Sequence, residues 1–111
     1  MTQPSIIMIY TTFPSKAEAK KTGASLVESK LAACVNIFPR MTSIYEWEGK
    51  RQTARETAMI IKTRLNLRDA VYTAIKASHP YSIPAFLVYP ASDSSPEFAA
   101  WIEGQTIAQP L

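Results

Sequence analysis

Apolar and polar positions fall into short blocks along the chain, and the period within each block predicts its element. Ser5 to Thr12 is an apolar, β-branched run ended by Pro14, and it predicts a strand. Ser15-Lys16-Ala17-Glu18 has the form of a capping box: the serine accepts from the third amide of a helix and the glutamate reaches back. Ala17, Ala24, Val27 and Leu31 follow at helical spacing, predicting the buried face of a helix from about 15 to 31. Cys34 to Phe38 and Ser43 to Glu48 read as strand, interrupted at Pro39. Because proline has no N–H for the ladder, a bulge, a bend or an edge position is expected there. Glu48-Gly49-Lys50 predicts a hairpin turn, and Thr53 to Thr63 the returning strand. Asn66 is the expected N-cap of a second helix with the stripe Leu67, Val71 and Ile75. That helix must stop at Ser78 or His79, since Pro80 disfavours helical geometry in the residue before it. Ala85 to Tyr89 predicts a fourth strand, and Pro96 to Gly104 a short last helix with proline at its start and glycine at its end.

The order β-α-β-β-α-β, with an added helix, predicts an α+β, ferredoxin-like fold in one domain spanning 1–111. Its two main helices cover one face of a four-stranded antiparallel sheet. The strands, however, are apolar on both sides. Ile6, Met8 and Tyr10 oppose Ile7 and Ile9; Met59 and Ile61 oppose Ala58 and Ile60; Phe86 and Val88 oppose Leu87 and Tyr89. A single copy would expose more apolar surface than soluble monomers usually tolerate, so sheets packed together in a homo-oligomer are expected, with cover by the C-terminal segment as the alternative.

Composition adds limits. With 111 residues, 47% hydrophobic and 19% charged, the chain can bury one core and is not generally disordered. Twelve Lys+Arg against nine Asp+Glu leave a net charge of +3, and the basic residues are scattered. Neither a basic stripe nor a Gly-Phe RNA-binding pattern is present, so no nucleic-acid partner is expected. The opening residues Met1-Thr2-Gln3-Pro4 carry no positive charge, and the apolar run Ile6 to Tyr10 is too short for a signal peptide or a span. No membrane partner and a cytoplasmic location are the expectations. A single cysteine, Cys34, excludes an intramolecular disulfide and any CxxC motif.

The candidate chemistry is sparse. His79, the one histidine, either closes a helix as a cation favoured by the dipole or serves as a metal ligand or acid/base. No HxH, HxxxH or HExxH partner accompanies it. Cys34 is either a buried, unreactive thiol or a nucleophile or soft-metal ligand that needs a partner nearby. Tyr45, Trp47 and Trp101 suit a core, a subunit interface or the lining of a ligand cleft. Lys62 is either a solvated strand end or an ammonium pointed into a cleft. Glu46 and Glu56 are strand carboxylates expected to be solvated or paired with Lys or Arg. The three glycines stand far apart, so there is no phosphate-cradling loop.

Taken together, Lys30-Leu31-Ala32-Ala33-Cys34-Val35-Asn36-Ile37, Ser43-Ile44-Tyr45-Glu46-Trp47-Glu48-Gly49, Glu56 through Thr63, and His79-Pro80-Tyr81 with Pro84 resemble the CutA family of divalent-cation-tolerance proteins. The resemblance implies a ferredoxin-like subunit in a tight, PII-like homotrimer. It implies a non-enzymatic role in tolerance of or response to divalent metals such as copper, without an established reaction. It places Tyr45, Trp47, Glu56, Lys62, His79 and Tyr81 in a candidate cleft and keeps His79 as a candidate metal ligand, beside which Cys34 is a candidate by residue type alone. Some copper-binding members carry cysteine where Thr11 stands and a second histidine where Ser78 stands, and many have Glu where Ala85 follows Pro84. The expectation is therefore no required cofactor, with Cu²⁺ or another divalent metal bound weakly, or a small anionic ligand held in the cleft. The alternatives are a PII-like metabolite sensor and a small enzyme using His79 as base with Lys62 or Arg64 as electrostatic stabiliser.

Overall fold

The computed structural model describes residues 5–110; the opening Met1-Thr2-Gln3-Pro4 read above lies outside them. Its elements follow the predicted order: β1 (Ile6–Phe13), α1 (Lys16–Glu28), β2 (Cys34–Trp47), β3 (Lys50–Arg64), α2 (Arg68–Ser78), β4 (Leu87–Pro90) and α3 (Pro96–Gln105). The sheet order is β2-β3-β1-β4, and every neighbouring pair is antiparallel. Each β-α-β unit leaves a gap that a strand of the other fills, which is the split pattern of a ferredoxin-like chain. Among the described residues no helix is long and apolar enough to cross a membrane.

Ser15 caps α1 as predicted, its hydroxyl accepting from the Glu18 N–H at 3.2 Å. The helix ends before Leu31 because Lys30 takes a left-handed φ of 62° and the Leu31 N–H closes back on the Leu26 carbonyl. Its buried face differs from the prediction: Ala19, Thr22, Gly23 and Leu26 are buried, Thr22 with its hydroxyl beside that of Ser78, while Ala17, Ala24 and Val27 are exposed. Room decides that face. A Cβ at Gly23 would stand 2.8 Å from Val35 Cγ2 and 3.2 Å from Met59 Sδ, so the glycine sets how close the helix lies. α2 is entered through a 3₁₀ turn, Leu65–Leu67, and Asn66 does not cap it. Its amide donates to the Ala108 carbonyl instead, pinning the C-terminal segment. Leu67, Val71 and Ile75 are fully buried, as their stripe predicts, and the last two join Ile7, Ile9, Phe13, Met59, Ile61 and Leu26 in the core. Thr11 Oγ1 lies buried without a hydrogen-bond partner.

The other face is open. The register puts Met8, Tyr10, Ile60, Phe38, Leu87 and Tyr89 on that side, and Phe38, Leu87 and Tyr89 are 51%, 53% and 50% exposed. α3 covers one corner only, where Ile102 packs with Ile6 and Ala33. Arg64 holds that helix in place, donating to Thr106 Oγ1 at 2.8 Å and to the Glu103 carbonyl.

β2 and β3 run on past the sheet as a two-stranded arm. Its turn, Glu48-Gly49, has φ of 51° and 79°, the paired positive values of a type I′ hairpin. The arm explains extents of 44 × 29 × 22 Å and a radius of gyration of 14.7 Å, where about 13 Å suits a compact chain of this length. At the arm's base Pro39 sits in the expected bulge, on the edge strand: Phe38 pairs with Ala58 and Met41 with Glu56, so β2 carries one extra residue. Arg40 absorbs it with a φ of 60°. Since side chains alternate along a strand, the extra residue moves the open side of β2 from even to odd positions. Met41, Ser43, Tyr45 and Trp47 thereby share the open face with Phe38 and Glu56.

Candidate functional site

Where the arm leaves the sheet, the segment after α2 rises beside the open face and closes a cleft of about 600 Å³. β1 contributes Thr12, β2 Tyr45 and Trp47, β3 Gln52 and Glu56, and the wall consists of Tyr81, Ser82, Ile83, Pro84 and Ala85. The bulge takes up the extra residue of β2, so Tyr45 and Trp47, opposite Gln52 and Lys50, stay on the side of Glu56. Glu56 is 9% exposed, and its Oε2 accepts from the Tyr81 hydroxyl at 3.1 Å.

Burial, then the hydrogen bond to Glu56 and that group's charge, push the Tyr81 phenol up to about 12 from its ordinary 10.0. The folded chain thus holds this proton more tightly than the unfolded chain. The stability it contributes is full below pH 10, the unfolded value, and is lost as pH rises toward about 12. An NMR titration with ring-labelled tyrosine should find Tyr81 ionising near pH 12, and earlier in Glu56→Gln, though still above 10 because burial persists. An unchanged midpoint in Glu56→Gln would show that the carboxylate does not hold the phenol.

His79 stands behind this wall rather than in the cleft. It is buried, stacked on Phe13 at 4.7 Å and close to the Tyr81 ring at 4.8 Å. Its Nε2–H donates to the Thr12 carbonyl at 2.6 Å and its Nδ1 accepts from the Tyr81 N–H at 3.1 Å. Those partners require the neutral ring with its proton on Nε2, and leave neither nitrogen a free lone pair for a metal or a substrate proton. The imidazole ties the wall to the end of β1, while Lys76 Nζ ties it to α2 through the Ser82 carbonyl.

Four of the residues singled out from sequence, Tyr45, Trp47, Glu56 and Tyr81, therefore meet in one cleft, with His79 supporting it. Lys62 and Cys34 do not join them. They pair across β3 and β2 four residues along from Ala58, the partner of Thr12, which is a separation of about 13 Å at strand rise. Lys62 Nζ lies 5.6 Å from the Phe98 ring centre instead. Cys34 is a half-buried free thiol without His79 nearby. Arg64 is committed to α3. Among the described residues no three His, Cys, Asp or Glu side chains gather as a metal site would need. Sequence reasoning missed Gln52 and Thr12. Gln52 becomes findable once the turn fixes its pairing with Tyr45.

The family model for CutA1 divalent ion tolerance proteins matches residues 7–105. The chain is 42% identical over 105 residues to the chloroplastic CutA 1 protein of Oryza sativa subsp. japonica, covering 95% of this chain but 59% of that protein. It thus spans under three fifths of that relative's length. Over 99 residues it is 34% identical to the divalent-cation tolerance protein CutA of Citrobacter koseri, covering 89% of this chain and 86% of the relative. The crystal structure of CutA1 from Oryza sativa superposes with a TM-score of 0.92 at 38% identity, covering 98% of this chain and 100% of that one.

Proposed function

This chain belongs to the CutA1 divalent ion tolerance family, and on that footing we propose that it works in the response to divalent metals, copper among them, as a non-enzymatic, PII-like homotrimer. The observation that carries the assembly is the uncovered sheet face. Phe38, Leu87 and Tyr89 stand about half exposed beside Met8 and Tyr10, and α3 hides one corner. A face of that kind is kept dry by another copy of itself. The number three rests on the family resemblance.

In this reading the protein acts by binding rather than by catalysis. The imidazole that an enzyme would use as base has both nitrogens occupied, so the small-enzyme alternative has no proton acceptor at His79. Nor do the described residues of one chain gather three His, Cys, Asp or Glu side chains as a tight copper centre would need. The cleft takes the ligand, and a signal follows if that ligand binds one arrangement of the arm and the 81–85 wall more tightly than another. Sedimentation equilibrium at micromolar concentration tests the assembly: a single-chain species overturns it. A strain lacking its own copy, challenged with copper, tests the tolerance role; expression of this chain should restore growth.

A further inference from the structure

On the other face of the sheet from the cleft lies a second cavity, of about 260 Å³. Ser15 and Lys16 border it from the turn into α1, Pro39 and Arg40 from the bulge, and Arg55 and Thr57 from β3. Register fixes its side. Thr57 stands opposite Phe13, which packs in the core with Ala19 and Leu26 of α1, and Arg55 shares the side of Thr57. The cavity is thus turned away from the face on which copies would meet. Nor can a strand of another copy extend the β2 edge at this point. Pro39 has no N–H, and neither it nor Arg40 keeps a partner in the ladder.

What the cavity presents is almost wholly donor. Lys16, Arg40 and Arg55 are exposed cations on its rim, and none is in an ion pair; among the described residues the one such pair is Arg68–Asp69. Glu56 is the single acid of the lining, and its carboxylate is turned to the opposite face, where Tyr81 donates to it. Thr57 is 3% exposed, and its hydroxyl has no hydrogen-bond partner among the described residues. That hydroxyl opens on the cavity, unlike Thr11 Oγ1, which is sealed in the core. Ser15 Oγ accepts from the Glu18 N–H, so its own proton is free to be donated outward. The bulge supplies one of the cations, since Arg40 is where β2 takes up its extra residue, and bulges re-aim side chains in this way.

We propose that this cavity seats a dianionic phosphoryl group, as free phosphate or as the head of a small phosphomonoester. Arg40, Arg55 and Lys16 are its counter-charges, and the Thr57 and Ser15 hydroxyls are its donors. The site is separate from the cleft and does not rest on the reading given to it. Guanidinium groups match phosphate oxygens two donors to two acceptors, and the positive end of α1 adds to the same field. With no Gly-rich loop in the sequence, side chains supply the donors that such a loop would take from the backbone. The volume lies below the usual range of drug-sized ligand pockets, which suits an ion or a short ester rather than a whole nucleotide. A metal ion would meet three like charges here.

Inorganic phosphate and glycerol phosphate, titrated into the full chain at about pH 8 and constant ionic strength and followed by NMR, test this, with chloride as the comparison. Both should shift the amides of Ser15, Lys16 and Thr57 and the side-chain signals of Arg40 and Arg55, saturably and at least about tenfold more tightly than chloride. Whichever binds more tightly names the source, free ion or ester. Arg40→Gln and Arg55→Gln should each weaken phosphate about tenfold. Thr57→Val, which keeps the shape and drops the hydroxyl, should weaken it about threefold or more. Arg68→Gln, which removes a cation elsewhere on the surface, should leave it unchanged, and so should Leu87→Glu on the opposite face. An equal response to chloride, or an equal loss in Arg68→Gln, would mean diffuse screening and overturn the proposal, as would silence toward both phosphates. A loss in Leu87→Glu would put part of the site on a neighbouring copy and overturn it too. Sedimentation of the parent samples reports the assembly separately, so failure here leaves the proposed function standing.

Discussion

Changing Leu87 to glutamate is expected to turn the proposed homotrimer into folded single chains. Leu87 lies on the open side of the edge strand β4, 53% exposed in one copy. In an isolated chain the new carboxylate stays in water, and such surface changes move stability by about half a kcal/mol or less. In an assembly closed over this face, every copy would bury a charge with no partner, costing more than about 3 kcal/mol per contact. Sedimentation velocity should show the mass falling to that of one chain, while the circular dichroism spectrum keeps its shape. Leu87→Met, which preserves the apolar volume, should leave the assembly intact. A Leu87→Glu protein that remains fully trimeric at micromolar concentration would place the contact elsewhere.

Replacing Gly23 with valine is expected to cost about 3 kcal/mol, an effect on the fold itself. In a solvated helix, alanine in place of glycine gains about 1 kcal/mol. At this position the added Cβ meets Val35 Cγ2 at 2.8 Å and Met59 Sδ at 3.2 Å, so the core must shift. Overpacking of this kind costs about 1–3 kcal/mol and outweighs the helix gain, leaving Gly23→Ala about 1 kcal/mol less stable. Valine adds two further methyl groups and a restricted χ1. Urea unfolding in the Leu87→Glu background keeps assembly out of the measurement. A Gly23→Ala chain at least as stable as its parent would mean that Val35 and Met59 yield and the glycine does not set the spacing.

The same glycine shows where sequence reading stops. Strand periods, the Ser15 cap, the Glu48-Gly49 turn and the Leu67-Val71-Ile75 stripe are local, and each is readable from its own few residues. The buried face of α1 is not. Hydropathy rewards Val27 and the alanines, yet the sheet accepts Gly23 because β2 and β3 already fill the space with Val35 and Met59, and Thr22 is buried beside Ser78 of α2. Asn66 looks like a cap until the C-terminal segment, 42 residues on, offers it the Ala108 carbonyl. The cleft was legible in kind but not in membership. Tyr45, Trp47, Glu56 and Tyr81 stand out as residue types and through the family resemblance. That Lys62 sits at the far end of the sheet follows from register, which pairs it with Met8 and Cys34 rather than with Thr12. His79 drew attention as a lone imidazole. Its two hydrogen bonds show a side chain spent on holding Tyr81 in place.

The bulge at Arg40 lets β2 carry an odd residue without turning the arm. One residue removed between Phe38 and Met41 would make the ladder regular, with Met41 still opposite Glu56 and Tyr45 still opposite Gln52, so the arm's aromatics would keep their side. Trimming two residues from each strand near the tip would merely shorten it, every survivor keeping its side. The facing of the pocket's aromatics is thus held by their partners on β3, and the spare residue of β2 can be lost without losing the pocket.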